Sequence, residues 1–329
     1  MGQPALKIDP GIARLVAVER FVFLVLPGFS ALDLGAGIDT LAAANAAAGS
    51  ISFEWTIVSE TGAPVTSSSG LQVAVDGALP KTQRDDCVVI CAPLGERPPI
   101  LFELKSWLHR TSRFGAQLCG LGGGAAALAH AGFSMSGPMS THWKLQPALA
   151  EMFPHMDAVC SVYEDNTVAT CGGGASTLDL FSAMVRRKCG TDIASQVADL
   201  LLHATVRSGA DRQTRSDLCR LGKRSEKLGY AIQIMQDNLE EPVTPTVIAE
   251  EVGLSTRQLE RLFKRYVGSS PKTYMTELRL QRARLLLLQT HLRVIDVAVA
   301  CGFTSASHFA RHYRRKFGVS PQHERGTVT

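Results

Sequence analysis

Two stretches near the C-terminal end, IAEEVGLSTRQLERLFKRYVGSSP (Ile248–Pro271) and VAVACGFTSASHFARHYRRKFGVSP (Val297–Pro321), are versions of one pattern. Ile248, Ala249, Gly253 and Leu254 match Val297, Ala298, Gly302 and Phe303 at an offset of 49. One residue inserted in the second turn raises the offset to 50. Leu259, Arg261, Phe263, Gly268, Ser270 and Pro271 then match Phe309, Arg311, Tyr313, Gly318, Ser320 and Pro321. An internal repeat decides architecture before any single element does, and two copies are too few for a solenoid. The pattern predicts a tandem of helix-turn-helix units.

Each copy carries the local chemistry of that motif. Ala249 and Ala298 are small where two helices cross closely, and Gly253 and Gly302 supply the permissive backbone that ends a first helix. Ser255 followed by Gln258 is a capping-box pattern that starts a second helix. Leu259, Leu262, Phe263 and Tyr266 then recur with helical period, leaving Arg257, Glu260, Arg261, Lys264 and Arg265 outside the apolar stripe. In the second copy Phe309, Tyr313 and Phe317 form the stripe, and Ser307, Arg311, Arg314, Arg315 and Lys316 face out. One basic amphipathic helix is ordinarily a solvated surface. Two of them, each behind a glycine turn, point to DNA.

The charge agrees. Of 329 residues, 1–206 carry 13 Lys and Arg against 18 Asp and Glu, a net of −5, and 207–329 carry 21 against 12, a net of +9. A basic second half joined to a mildly acidic first half assigns polyanion contact to the former alone. The length predicts two domains. Eight cysteines without a CxxC pair read as reduced structural thiols, with no metal site. FVFLVL is too short and too soon interrupted by Pro27, Gly28 and Asp33 for a signal peptide or membrane span, so a cytoplasmic location with no membrane partner is expected.

From the N-terminus, 21–26, 53–59, 87–91 and 116–121 read as buried strands, and 71–77 as part of a hairpin. Short strands follow near 158–163 and 167–171. Helices are predicted from Asp33 to Ala48, over 100–111, over 125–131 behind Gly122-Gly123-Gly124, and after the glycines of GGGASTLDLFSAMVRR. This alternation predicts an α/β, doubly wound, flavodoxin-like sheet domain over 1–205. Residues 206–227 are charged and read as a linker. An all-α domain with the two helix-turn-helix units follows over 228–329, with a lead helix at 231–239, a Thr244-Pro245 helix start, and a long helix over 271–289 joining the copies.

The second domain resembles the DNA-binding domain of AraC/XylS transcription regulators, on LxRLFKRYVGSSP (259–271), LRLQRARLLL (278–287) and CGFTSASHF (301–309) followed by Arg311. The resemblance implies two recognition helices in adjacent major-groove segments of double-stranded DNA. Its base-contacting positions fall on Arg257, Glu260 and Arg261 in the first helix, and on Ala306, Ser307, Ala310 and Arg311 in the second. An exposed arginine there suits bidentate contact with guanine, whereas Lys264, Arg265, Arg314, Arg315 and Lys316 suit phosphates.

The first domain resembles the PfpI/class I glutamine amidotransferase-like fold, in the GlxA-type subset fused to AraC domains, on FLVLPGFSALDL (23–34), LCGLGGGAAALAHAG (118–132), STHW (140–143) and TVATCGGGASTLDL (167–180). With ADRQ (210–213), this arrangement looks most like regulators of amino-acid or quaternary-amine catabolism. In enzymes of that superfamily a cysteine on the strand-to-helix elbow is activated by its strained position and a histidine. Here Gly122 falls on the nucleophile position, while Cys119 lies three residues earlier, inside the strand. His142 matches a family histidine but has no thiolate to activate. No catalytic residue and no cofactor are therefore expected; GLGGGA (120–125) follows the wrong strand for a dinucleotide fingerprint. The elbow remains a concave site for a small nitrogenous effector. Amides at Gly122, Gly123 and Gly124 suit a carboxylate. Asp33 either pairs with an amine or caps its helix, and Trp143, beside His142, either faces a cationic ligand or is a packed aromatic. The expected protein is a ligand-responsive regulator, an activator, working as a homodimer with RNA polymerase. The alternative is a thiol-dependent amidase or hydrolase carrying a DNA-binding domain.

Overall fold

The computed structural model describes residues 18–95, 102–213 and 225–326. The chain forms two compact units, Met1–Gln213 and Thr214–Thr329.

The first unit is built on a six-stranded sheet. In chain order it contains β1 (Glu19–Val25), α1 (Ala31–Ala48), β2 (Phe53–Val58), the two-residue strands β3 (Val65–Thr66) and β4 (Gln72–Val73), β5 (Cys87–Ala92), α2 (Phe102–Arg113), β6 (Gln117–Gly122), α3 (Gly124–Leu128), β7 (Met139–Ser140), α4 (Gln146–Met152), β8 (Ala158–Val159), β9 (Tyr163–Asp165), β10 (Val168–Cys171), α5 (Ala175–Cys189) and α6 (Thr191–Leu200). The order is β2-β1-β5-β6-β10-β9, parallel except for β9. With the two-residue pairs β3–β4 and β7–β8 and the antiparallel edge strand β9 set aside, this is the flavodoxin-like arrangement the alternation predicts. The continuous apolar strands are what such a sheet needs, because both faces are covered. Phe21, Phe23, Val25, Val89, Cys119 and Ala169 pack beneath α1 and α5; Val22, Leu24, Ile90 and Leu118 pack on the other face with α2 and α3.

Several boundaries differ from expectation. Helix α1 begins at Ala31, and its cap is the Ser30 hydroxyl, which accepts from the Asp33 amide. Asp33 is thus not the cap. The strand expected over 158–163 stops at Val159, and β9 starts a separate pairing at Tyr163. Residues 100–101 of the helix expected over 100–111 lie outside the described residues, as do residues 214–224, with Cys219, of the expected linker.

The described start of that linker belongs to the first unit. Arg207 donates to the fully buried Asp179 carboxylate from its main-chain amide (2.8 Å), Nε (3.0 Å) and Nη2 (2.6 Å). The Val162 amide donates to Asp211 O, and the Gln213 amide to Cys160 O. Charged composition read as solvation here because the partners are distant in sequence.

The second unit is helical: α7 (Glu226–Asp237), α8 (Pro245–Glu251), α9 (Thr256–Tyr266), α10 (Pro271–Gln289), α11 (Val294–Ala300), α12 (Ala306–Phe317) and α13 (Pro321–Gly326). The lead helix starts earlier than the periodicity suggests, because Ser225 caps it. Ile248, Ala249, Leu259 and Phe263 close a core with Leu228, Ile232 and Met235 from α7 and with Met275 and Leu278 from α10. In the second copy Val297, Ala298, Phe303, Phe309 and Tyr313 are buried. Gly253 and Gly302 take φ of +63° and +69°, the left-handed backbone each turn requires.

Candidate nucleic-acid interface and elbow site

Helix α9 is fixed at its start by the complete capping box, Ser255 and Gln258 each bonding the other's main-chain amide. Its apolar side is anchored by Leu259 and Phe263, both at 0% exposure. The opposite side presents Arg257, Glu260, Arg261 and Lys264, all exposed, around one shallow concavity shared with Ser255 and Gln258. Among the described residues none of these four side chains is held in an ion pair or hydrogen bond. Three cations and one carboxylate at spacings i, i+3, i+4 and i+7 thus share one face of the helix, an arrangement suited to phosphates and base edges.

The equivalent helix α12 is capped by Ser305, which accepts from the His308 amide. Ser307 and Arg311 are exposed on its outer side. Two of the cations predicted to face phosphates are already engaged: Lys316 Nζ is 2.7 Å from Glu277 Oε1, and an Arg315 Nη is 3.0 Å from His312 Nδ1. The two copies therefore offer unequal surfaces.

In the first unit β6 runs into α3 through the expected elbow. Gly122 has φ +59°, a left-handed backbone at the strand-to-helix turn that is open to glycine and would strain a residue with a side chain. A Cβ there would lie 2.6 Å from Asp33 Oδ2, and one on Gly123 would lie 2.0 Å from Pro93 O. Both glycines are demanded by close approach of the main chain and of Asp33. Asp33 is 2% exposed, and its Oδ1 accepts from the Gly174 amide at 2.5 Å. Burial raises its pKa from the ordinary aspartate value, opposed by the Gly174 and Ser30 hydrogen bonds.

Cys119 is fully buried and faces the sheet side occupied by α1 and α5. A hydrogen bond with the Cys87 thiol and burial push its pKa well above the ordinary thiol range. Cys171, beneath the elbow, is pushed up to about 12, chiefly by burial, against amides of Gly173 and Gly122 that point toward its sulfur. His142 is half-buried, and desolvation followed by the Lys144 charge lowers it to about 4. The Lys144 amide donates to its Nδ1 at 3.2 Å. The structure thus brings Asp33, Gly122 and Gly123 together directly.

His142 and Trp143 join that group through residues the sequence reading did not single out. The Trp143 amide donates to Gln213 Oε1, and Gln213 packs against Gly172 at the head of the glycine loop. The Trp143 ring stands 5.5 Å from the His142 ring and has Lys144 Nζ 5.6 Å from its centroid. Its π-face is thus already shared with a cation of the chain. ADRQ (210–213) was the available signal for Gln213, but only as a motif without a role. Among the described residues no cluster of three His, Cys, Asp or Glu side chains could hold a metal, and no helix is long and apolar enough to cross a membrane.

Comparison with known proteins matches residues 248–327 to a helix-turn-helix domain family. The chain is 33% identical to the HTH-type transcriptional regulator GbdR of Pseudomonas aeruginosa over 92% of its own length and 83% of that protein. It is 34% identical to the HTH-type transcriptional regulator GlxA of Rhizobium meliloti over 92% of its own length and 94% of that protein. A ThiJ/PfpI family protein from Pseudomonas syringae, 16% identical, shares the fold of the first unit with a TM-score of 0.51, covering 62% of this chain and 83% of that one. A PfpI-like sheet unit followed by the doubled DNA-reading motif therefore places the chain in the GlxA-type group of AraC-family, helix-turn-helix transcriptional regulators.

Proposed function

We propose that this regulator is an effector-responsive activator whose elbow takes a small nitrogenous cation, an amino acid or quaternary amine. The observation that carries this reading is the Asp33 carboxylate, buried where an enzyme of this fold would carry its nucleophile. A buried carboxylate with a raised pKa is unfavourable for the fold and is typical of functional sites. Its charge suits an ammonium group. A ligand carboxylate is less well served, because the Gly174 amide is spent on Asp33 and the Gly122 amide on the Cys171 sulfur. A ligand reaches Asp33 by displacing the Gly172–Gly174 loop, with His142 and Trp143 beside the entrance. The unit has no catalytic role in this reading, since its elbow lacks a nucleophile and Cys119 is protonated within the core.

In the same reading Arg257, Glu260, Arg261, Ser307 and Arg311 meet operator DNA in the cytoplasm, and the chain works as a homodimer that engages RNA polymerase. A thermal-shift series with amino acids and betaines tests the effector. A compound at 100 times its dissociation constant raises stability by about 2.7 kcal/mol, and no shift across the series overturns an effector of this class. Cys119→Ser is expected to leave effector-dependent reporter expression unchanged; loss of that response with the fold intact supports the thiol-hydrolase alternative. Arg261→Ala is expected to lower preference at one operator position by about 1–3 kcal/mol. Equal weakening on every sequence makes Arg261 a phosphate contact instead.

A further inference from the structure

The segment that leaves the first unit is keyed into the elbow. Helix α6 ends at Leu200, and Leu202 adopts φ +53°, a left-handed backbone uncommon for a leucine. The chain turns back, and His203 Nε2 reaches Asp179 Oδ1 at 2.9 Å beside the Arg207 bonds. Six residues after Arg207, the Gln213 carboxamide enters the unit. Its Nε2 donates to Thr141 O at 2.7 Å and to Ser161 O at 2.8 Å, and its Oε1 accepts from the Trp143 amide at 3.1 Å. The same Nε2 would lie 2.5 Å from a Cβ on Gly172.

Gly172 begins the glycine loop that forms the other wall of the elbow. A Cβ on Gly173 would lie 2.8 Å from Gly122 Cα, and the Gly174 amide is the donor to Asp33. Contact is therefore continuous from Asp33 through Gly174, Gly173 and Gly172 to Gln213, the last described residue before the second unit. Packed glycine backbone has no side-chain slack to absorb a shift, so displacement at one end is passed along.

We propose that Gln213 is a positioning residue that holds the Gly172–Gly174 loop against Asp33 and carries the state of the elbow into the segment leading to the DNA-binding unit. Its use in effector signalling rests on the function proposed above; the mechanical link does not.

Hydrogen exchange on the full-length chain tests the link without an effector. Gln213→Ala removes the wedge. Gly172→Ala pushes it out, since its Cβ would overlap the carboxamide. In both variants the Trp143 and Gly174 amides are expected to exchange at least about tenfold faster, with β1 and β5 unchanged. Added to Gln213→Ala, Gly172→Ala is expected to do nothing more, because the vacated space admits its methyl group. A local staple would release Trp143 alone. Wild-type protection of Gly174 in Gln213→Ala, or full additivity of the two substitutions, overturns the proposal. Operator binding by the same variants with amino acids and betaines separates the two readings. If the exchange coupling holds and no probe alters DNA binding, the effector reading fails and the link stands. If Gly174 stays protected, the link fails whatever the probes do.

Discussion

Phe263→Ala is expected to abolish operator binding by unfolding the second unit while the first keeps its structure. The ring is completely buried, stacked edge-on to Tyr274 at 5.6 Å, and it shares a core with Leu228, Ile232 and Met235 of α7 and with Ile248 of α8. With Leu259 it anchors helix α9 to the rest of its unit. Truncating a buried phenylalanine costs about 3–5 kcal/mol, the lost transfer energy plus the cavity left behind. Small domains have a total stability of roughly 5–15 kcal/mol, so a unit near the lower end is left largely unfolded. Calorimetry of the full-length variant should show one transition lowered or lost and the other in place. The exposed substitution Arg261→Ala, two residues before Phe263 and on the opposite side of the same helix, should leave both transitions unmoved. If Phe263→Ala retains full operator affinity and an unshifted melt, α9 does not depend on this core.

The second unit was legible in the sequence because its physics is local. A capping box, a glycine with left-handed φ and an apolar residue every three or four positions each act within one turn, and Ser255, Gly253 and Phe263 occupy the positions they predict. The sheet was legible for a similar reason, since strands buried on both faces are continuous apolar runs. What escaped was long-range. Asp33 reads equally as a helix cap or a ligand partner until Ser30 is seen capping α1 and Gly174, 141 residues away, is seen donating to it. Arg207 and Gln213 read as linker because their partners, Asp179 and the Thr141–Trp143 turn, are declared by no spacing. One ambiguity was local: Trp143 reads equally as ligand-facing or packed until its neighbour Lys144 is seen over its ring. Lys316 looked like a phosphate contact because nothing on its own helix reveals Glu277, whereas the partner of Arg315, His312, lies three residues before it on α12.

Asp33→Asn is expected to stabilise the first unit at neutral pH and to remove the effector response. Asparagine keeps an oxygen to accept from Gly174 and discards the buried charge. Because burial raises the Asp33 pKa above 3.8, the folded chain binds more protons than the unfolded chain in the window between those two values. The Asp33 contribution to wild-type stability is therefore complete below the unfolded value, declines as pH rises through the window, and levels off above the folded pKa. The variant lacks this decline. Its advantage should be absent in acid, grow across the window and hold constant at neutral pH, as denaturant melts at several pH values would show. Against this gain stands the loss of a charge-assisted contact to an ammonium ligand, worth about 1.5–3 kcal/mol, or roughly ten- to hundred-fold in apparent affinity. A substitution that strengthens the fold while weakening the response is the mark of a group kept for binding at the expense of stability. The opposite pair of results, a less stable protein at neutral pH that still responds to its effector, would make Asp33 a structural tie between α1 and the glycine loop and remove the ground for a cationic ligand.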